Sequence, residues 1–189
     1  MKVFACPAFN VVNAMTYQPS ERLIKAYIAS PLGFTEPTRR FYNGSYLPAL
    51  RAIGIDTMCP WAMTDPAEGL HVLDIDSVAE RSARYDEFLS RVFARNEQGI
   101  RDAEIVIAQL DGTDADAGTA WEVGFAYALG KTIFGWRSDW RNSGELAGRV
   151  TVMAEGSIPL SGGFIHFGEM AEFVERLDVA LVAIRSVNA

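Results

Sequence analysis

Short apolar runs alternate along the chain with longer stretches whose apolar residues recur at helical spacing. Residues 24–29 (Ile24-Lys25-Ala26-Tyr27-Ile28-Ala29) predict a buried strand, and Ser30-Pro31-Leu32-Gly33-Phe34 predicts the turn that ends it. A helix fits 37–53, with Pro37 in its first turn, Gly54 closing it and Pro48 kinking or splitting it. Residues 55–60 read as a second strand and 61–75 as mixed loop. From Ser77 to about Ala103, Val78, Tyr85, Leu89, Val92, Phe93 and Ile100 form one apolar stripe of a long helix. A third strand (104–110), a small acidic loop (111–117), a helix (119–129) capped by Gly130 and a fourth strand (132–136) follow. The remainder reads as a polar loop (137–148), a short fifth strand (150–154) and an amphipathic terminal helix (169–187).

Strands and helices in alternation imply a parallel sheet covered on both faces. The expected fold is α/β: a flavodoxin-like, doubly wound, five-stranded and mostly parallel sheet with helices on both faces. In that architecture ligands bind beyond the C-terminal strand ends, at the switch point. Residues 1–22 precede the first strand as an N-terminal extension to which the pattern assigns no role. Residues 23–189 read as a single domain, a length that supports one full core.

Composition narrows the function. The 24 acidic residues outnumber the 17 basic ones, for a formal charge of −7, which argues against a nucleic-acid polymer as partner. The two cysteines, Cys6 and Cys59, and the two histidines, His71 and His166, lie apart, which speaks for a reduced protein and against zinc. Pro7, Asn10 and Asn13 interrupt the apolar start before it reaches signal-peptide length, and no run has the roughly 20 apolar residues that span a membrane. The expectation is a soluble cytoplasmic protein. Neither G-x-x-x-x-G-K-[ST] nor G-x-G-x-x-G follows a strand, which disfavours phosphate-loop and dinucleotide enzymes.

The chemistry concentrates in Asp111–Lys131, D-G-T-D-A-D-A-G-T-A-W-E-V-G-F-A-Y-A-L-G-K. Asp111, Asp114 and Asp116 occupy a loop that follows a strand, and Glu122 stands in what reads as the first turn of a helix otherwise apolar on every side. A carboxylate there must be paired, hydrogen-bonded or functional. Thr119-x-x-Glu122 also fits a capping box, in which Glu122 reaches back to its own backbone. A helix N-terminus keeps such a group ionised, so capping and nucleophilic roles both stand at this point. Asp116, nearest the helix and flanked by Ala115, Ala117 and Gly118, leaves room for a ligand to approach the backbone.

The segment Asp116–Lys131, the turn Tyr27-Ile28-Ala29-Ser30-Pro31-Leu32 and the run Arg95-Asn96-Glu97-Gln98-Gly99-Ile100-Arg101-Asp102-Ala103 resemble the nucleoside 2-deoxyribosyltransferase family, in the same order and over about 25–155. The resemblance implies that Glu122 attacks C1' of a deoxyribose and holds it as an ester. It implies that Tyr27 positions that carboxylate and that Asp116 binds the 5'-hydroxyl, favouring nucleosides over nucleotides. Ser30, Pro31 and Gly118 fall in the matching substrate-binding segments. Two positions depart from the pattern. Asn96 stands where some members have a proton-donating aspartate, so it hydrogen-bonds a base edge but donates no catalytic proton. Thr151 lies near where some members place an asparagine that reaches a neighbouring subunit's ligand. Phe34, Trp61 and Met63 are candidate walls for a base.

The function expected from the resemblance is exchange of bases on 2'-deoxyribose, with nucleosides and free nucleobases as partners, no metal or organic cofactor, and a homo-oligomer with sites near the interface. The rivals are an N-glycoside hydrolase using the same nucleophile and a non-catalytic ligand-binding module.

Overall fold

The computed structural model describes residues 22–64, 66–145 and 148–187. Five strands, β1 (Ile24–Ala29), β2 (Ile55–Met58), β3 (Ile105–Gln109), β4 (Thr132–Arg137) and β5 (Phe164–Phe167), form one sheet in the order β2-β1-β3-β4-β5. Every adjacent pair is parallel. This is the flavodoxin-like order, with its switch point between β1 and β3.

Side chains alternate across the sheet because strand residues point to opposite faces. Ile24, Ala26, Ile28, Ile105 and Ile107 face one core, which holds residues of α2 (Leu47–Ala52) and α8 (Met170–Val187). Tyr27, Ala29, Val106 and Ala108 face the other, built with α5 (Val78–Asp102), α6 (Ala117–Ala128) and α7 (Val152–Leu160). No helix among the described residues is long and apolar enough to cross a membrane.

Three expectations need correction. The region 150–154 is no strand: Val150 is a buried loop residue, Thr151 is the N-cap of α7, and Val152–Ala154 form its first turn. The fifth strand is Phe164-Ile165-His166-Phe167, a short, mostly apolar run framed by the turn residues Gly162-Gly163 and Gly168. The expected loop at 61–75 instead contains two short helices, α3 (Pro60–Met63) and α4 (Pro66–Leu73).

The expected helix at 37–53 is split as Pro48 requires. It runs as α1 (Glu36–Phe41), a π-helical turn (Tyr42–Tyr46) and α2, and Leu47 N–H bonds to the carbonyl of Tyr42. Proline has no N–H to give and crowds the preceding turn, which widens in response. The segment 1–21, Cys6 included, lies outside the described residues; Cys59 is a buried free thiol that accepts a hydrogen bond from Tyr42 Oη at 3.1 Å.

Candidate active site

The C-terminal ends of β1 and β3 open onto a cavity of about 830 Å³, close to the top of the range of about 300–1,000 Å³ common for small-molecule sites. Glu122, Asp116, Gly118, Thr119, Asn96, Ser30, Phe34 and Trp61 all line it.

Glu122 sits on α6 because of how that helix begins. Asp116 is its N-cap, and its Oδ2 accepts Thr119 N–H at 3.0 Å and Thr119 Oγ1 at 3.4 Å. The capping box of Thr119 with Glu122 is therefore not formed. Helix α6 starts two residues earlier than the sequence pattern indicates, which moves Glu122 into the second turn, beyond the unpaired amides of the helix start. Thr119, Val123 and Ala126 carry the buried face. Trp121, Gly124 and Tyr127 are exposed, so α6 is not packed on every side as its composition suggests.

The partner of Glu122 comes from 95 residues away: Tyr27 Oη donates to Glu122 Oε1 at 2.5 Å. Tyr27 is fully buried in β1. Helix α5 closes on its ring at Gly99, where a Cβ would stand 3.2 Å from two ring carbons and from Met63 Cε. A side chain there would make the tyrosine ring or Met63 give way by a few tenths of an ångström. Met63 thus packs beside Tyr27 and is not among the residues that line the cavity.

Burial raises the Glu122 carboxyl to about 7; the Tyr27 hydrogen bond opposes the shift and the Asp116 charge adds to it. The expectation of a carboxylate kept fully ionised by the helix end is corrected accordingly: desolvation outweighs the favourable contacts. The result is a carboxyl that titrates near neutrality in a cleft, which makes it a candidate functional group. Burial and the neighbouring carboxylate drive Tyr27 far above the ordinary tyrosine range, so it stays a hydrogen-bond donor.

Ser30 is buried at the end of β1, where its Oγ accepts Leu32 N–H at 3.2 Å and caps a 3-10 turn, Pro31–Gly33. Pro31 opens that turn without lining the cavity. Trp61 Nε1 donates to the Ser30 carbonyl at 3.2 Å, and its ring lies so close to Gly33 that a Cβ there would be 2.2 Å from ring carbon Cδ2. Phe34, 66% exposed, meets Trp61 edge-to-face at a centroid distance of 4.5 Å. The two rings form an aromatic wall of the kind that receives flat ligands.

Asn96 projects from α5 into the cavity, and its Oδ1 is buried without a partner. Among the described residues, Asp116 Oδ1 also has no hydrogen-bond partner, which leaves one oxygen of the cap available to a ligand. Thr151 does not line this cavity. It lies in a separate groove between α6 and α7 with Ala120, Gly124 and Tyr127. Asp111 is structural: its carboxylate accepts the N–H groups of Ser138 and Asp139 and Ser138 Oγ at 2.6–2.7 Å. The 137–141 loop is closed by the Asp139–Arg141 ion pair and is not part of the cavity wall. No group of three or more His, Cys, Asp or Glu side chains able to hold a metal ion occurs among the described residues.

The sequence pattern did not single out several wall residues: Gly33, Arg39, Thr64, Leu73, Arg81, Ser82 and Phe88. Phe88 had a visible signal, since it precedes Val92 and Asn96 by four and eight residues on one helix face.

A carboxyl poised near neutrality, a tyrosine hydroxyl against it and an aromatic-walled cavity at the sheet switch point define a small-ligand site in an α/β protein. The nucleoside 2-deoxyribosyltransferase family model matches residues 26–164, and the chain belongs to that family. Among solved structures, the 2-deoxyribosyltransferase of Bacillus psychrosaccharolyticus aligns at 27% identity with a TM-score of 0.52, covering 80% of this chain and 90% of that one. The Clostridium botulinum CMP N-glycosidase aligns at 17% identity and TM-score 0.53, covering 82% and 98%. A conserved protein of Enterococcus faecalis V583 aligns at 22% and 0.54, covering 81% and 96%. The last two show the shared fold. No curated protein matches the chain in sequence.

Proposed function

We propose that this chain cleaves the N-glycosidic bond of a 2'-deoxynucleoside and transfers the deoxyribosyl group to a second base. The observation that carries the reading is the 2.5 Å hydrogen bond from buried Tyr27 to Glu122, which lines the cavity. One Glu122 oxygen attacks C1'; the C1'–N bond breaks, its electron pair goes to the base nitrogen, and that nitrogen takes a proton from solvent water as the base leaves. The sugar is held as a glycosyl ester of Glu122. An acceptor base then attacks C1' from the face the first one left and gives up its N–H proton to solvent water, the ester bond breaks and its electrons return to the carboxylate, so configuration is retained. Tyr27 holds Glu122 in one orientation and stabilises its charge each time the carboxylate is regenerated.

Asp116 Oδ1 suits a free 5'-hydroxyl and repels a 5'-phosphate, which favours nucleosides. Asn96 hydrogen-bonds the base without protonating it. The residues from 23 onward act as one domain. We assign the reaction to nucleobase salvage in the cytoplasm, where the free thiol of Cys59 stays reduced. The α6–α7 face, with exposed Trp121 and Tyr127 and with Met153 and Leu160 at 76% and 75% exposure, is the contact we assign to a second copy in a homo-oligomer, bringing Thr151 towards the partner's site.

A hydrolytic reading, in which water takes the sugar from the same ester, is favoured by the breadth of the cavity and by Asn96. Intact-mass measurement after mixing with a 2'-deoxynucleoside tests the shared chemistry: a deoxyribosyl adduct that maps to Glu122 supports it, and an unmodified Glu122 during turnover refutes it. Adding an acceptor base then separates the readings, since transfer yields a new nucleoside and hydrolysis yields free deoxyribose alone. Preference for the 5'-monophosphate over the nucleoside would refute the role given to Asp116.

A further inference from the structure

We propose that the cavity holds a second subsite, beyond the base, for a large apolar or aromatic substituent carried on the exocyclic amine of the nucleobase. The inference rests on the glycosyl-transfer reading above and names the substrate class of the same site. Its basis is the shape and chemistry of the wall that α5 contributes.

Asn96, Val92, Phe88, Tyr85 and Val78 all line the cavity. Their spacings of three, four and seven residues lie on one helix face. Eighteen residues separate Asn96 from Val78, so this stripe extends about 27 Å at 1.5 Å per residue, much farther than a nucleoside reaches. Leu73 of α4 lines the same hollow. The two ends differ in chemistry. Glu122, Asp116, Ser30 and Asn96 make the sugar end polar, whereas Leu73, Val78, Tyr85, Phe88 and Val92 make the far end mainly aliphatic and aromatic, with Arg81 and Ser82 also on its wall. There Val78 is 71% and Tyr85 44% exposed, apolar surface that neither core covers. Continuity with the sugar end makes a substrate extension its occupant, since whatever fills the trough shares the hollow with the base.

Asn96 stands at the junction. Its Oδ1 is buried with no donor, an unpaired acceptor that a ligand N–H satisfies. A secondary exocyclic amine supplies one N–H to that oxygen and directs its substituent away from the sugar. On leaving Asn96 the substituent meets Val92 and Phe88, then Tyr85. A primary amine satisfies Asn96 and leaves the trough empty; a tertiary amine fills the trough and leaves Asn96 unpaired.

The test compares kcat/KM for 2'-deoxyadenosine with its N6-benzyl and N6-benzyl-N6-methyl derivatives, in parallel with 2'-deoxycytidine and its N4-benzyl counterpart. In at least one base series the benzyl compound is expected to exceed its parent by about tenfold or more, the gain of one well-packed group in an apolar pocket. The N6-benzyl-N6-methyl compound falls back by a similar factor. Ser82→Trp, at an exposed position lining the far half, brings the benzyl-to-parent ratio towards one. Parents turned over with no benzyl advantage overturn the subsite and leave glycosyl transfer standing. A Ser82→Trp variant that changes oligomeric state while the ratio holds overturns it too, because a partner subunit then fills the trough. No turnover in either series and no Glu122 adduct overturn both readings.

Discussion

Glu122→Gln removes the titrating proton of a buried carboxyl and keeps its shape and its hydrogen bond, since Tyr27 Oη can donate to the amide oxygen as it does to Glu122 Oε1. Burial raises the Glu122 carboxyl from 4.5 to about 7. A raised carboxyl pKa means that the folded protein binds this proton more tightly than the unfolded chain. The stability it contributes is fully present below about pH 4.5, declines as pH rises from there, and is gone above about 7. At 1.36 kcal/mol per pH unit, the loss comes to about 3 kcal/mol. The Gln variant carries no such proton, so the stability difference, variant minus wild type, should grow by about 3 kcal/mol between pH 4.5 and pH 8. With urea slopes of about 1–3 kcal/mol/M, the unfolding midpoint of the variant should move past that of the wild type by about 1–3 M at pH 8. Urea titrations of both proteins at half-unit steps from pH 4.5 to 9, followed by circular dichroism, measure this directly. Parallel stability curves, or a variant that weakens relative to wild type as pH rises, would refute the claim that desolvation governs Glu122. A gain in stability alongside loss of turnover is the trade expected where a functional group is held against its solvation preference.

Three further perturbations probe the neighbours. Tyr27→Phe removes the hydrogen bond that pulls the Glu122 carboxyl down, so the acid limb of the kcat/KM profile should move up by about 1–2 pH units, with activity at pH 7 down at least tenfold; an unmoved limb would show that the hydroxyl does not tune Glu122. Asp116→Ala deletes the N-cap of α6 and should cost about 1 kcal/mol in thermal or chemical melts, whereas Asp116→Asn keeps the cap and should cost little. Equal loss in both would mean that charge, and not capping, supports the helix start. Gly33→Ala places a methyl where Trp61 Cδ2 would be 2.2 Å away, so the ring must swing and its hydrogen bond to Ser30 be lost; about 1–3 kcal/mol of destabilisation and a changed tryptophan emission are expected, and an unaltered melt would contradict the packing described.

Much of the fold was legible locally. The strands 24–29 and 104–110, the helix from Ser77 and the kink at Pro48 follow from side-chain period, caps and the missing proline N–H, all of which act within a few residues. The nearness of Asp116 to the cavity was likewise visible as an acidic residue in a small-residue loop after a strand. What the local pattern misread were places where two plausible signals compete. Val150-Thr151-Val152 has β-branched character, yet Thr151 caps a helix, and the edge strand went to Phe164–Phe167 because that run pairs with β4. Thr119 and Asp116 are both good caps, and packing of Thr119 into the core settled the choice.

The state of Glu122 belonged to tertiary structure alone. Sequence determined that a carboxylate would lie near a helix start after β3, in an α/β protein of this family. Only the folded chain brought a tyrosine from 95 residues away to within 2.5 Å of it and withdrew both from water. Periodicity and capping depend on neighbours along the chain; desolvation depends on neighbours in space, which helix α5 and strand β1 supply only once they have packed.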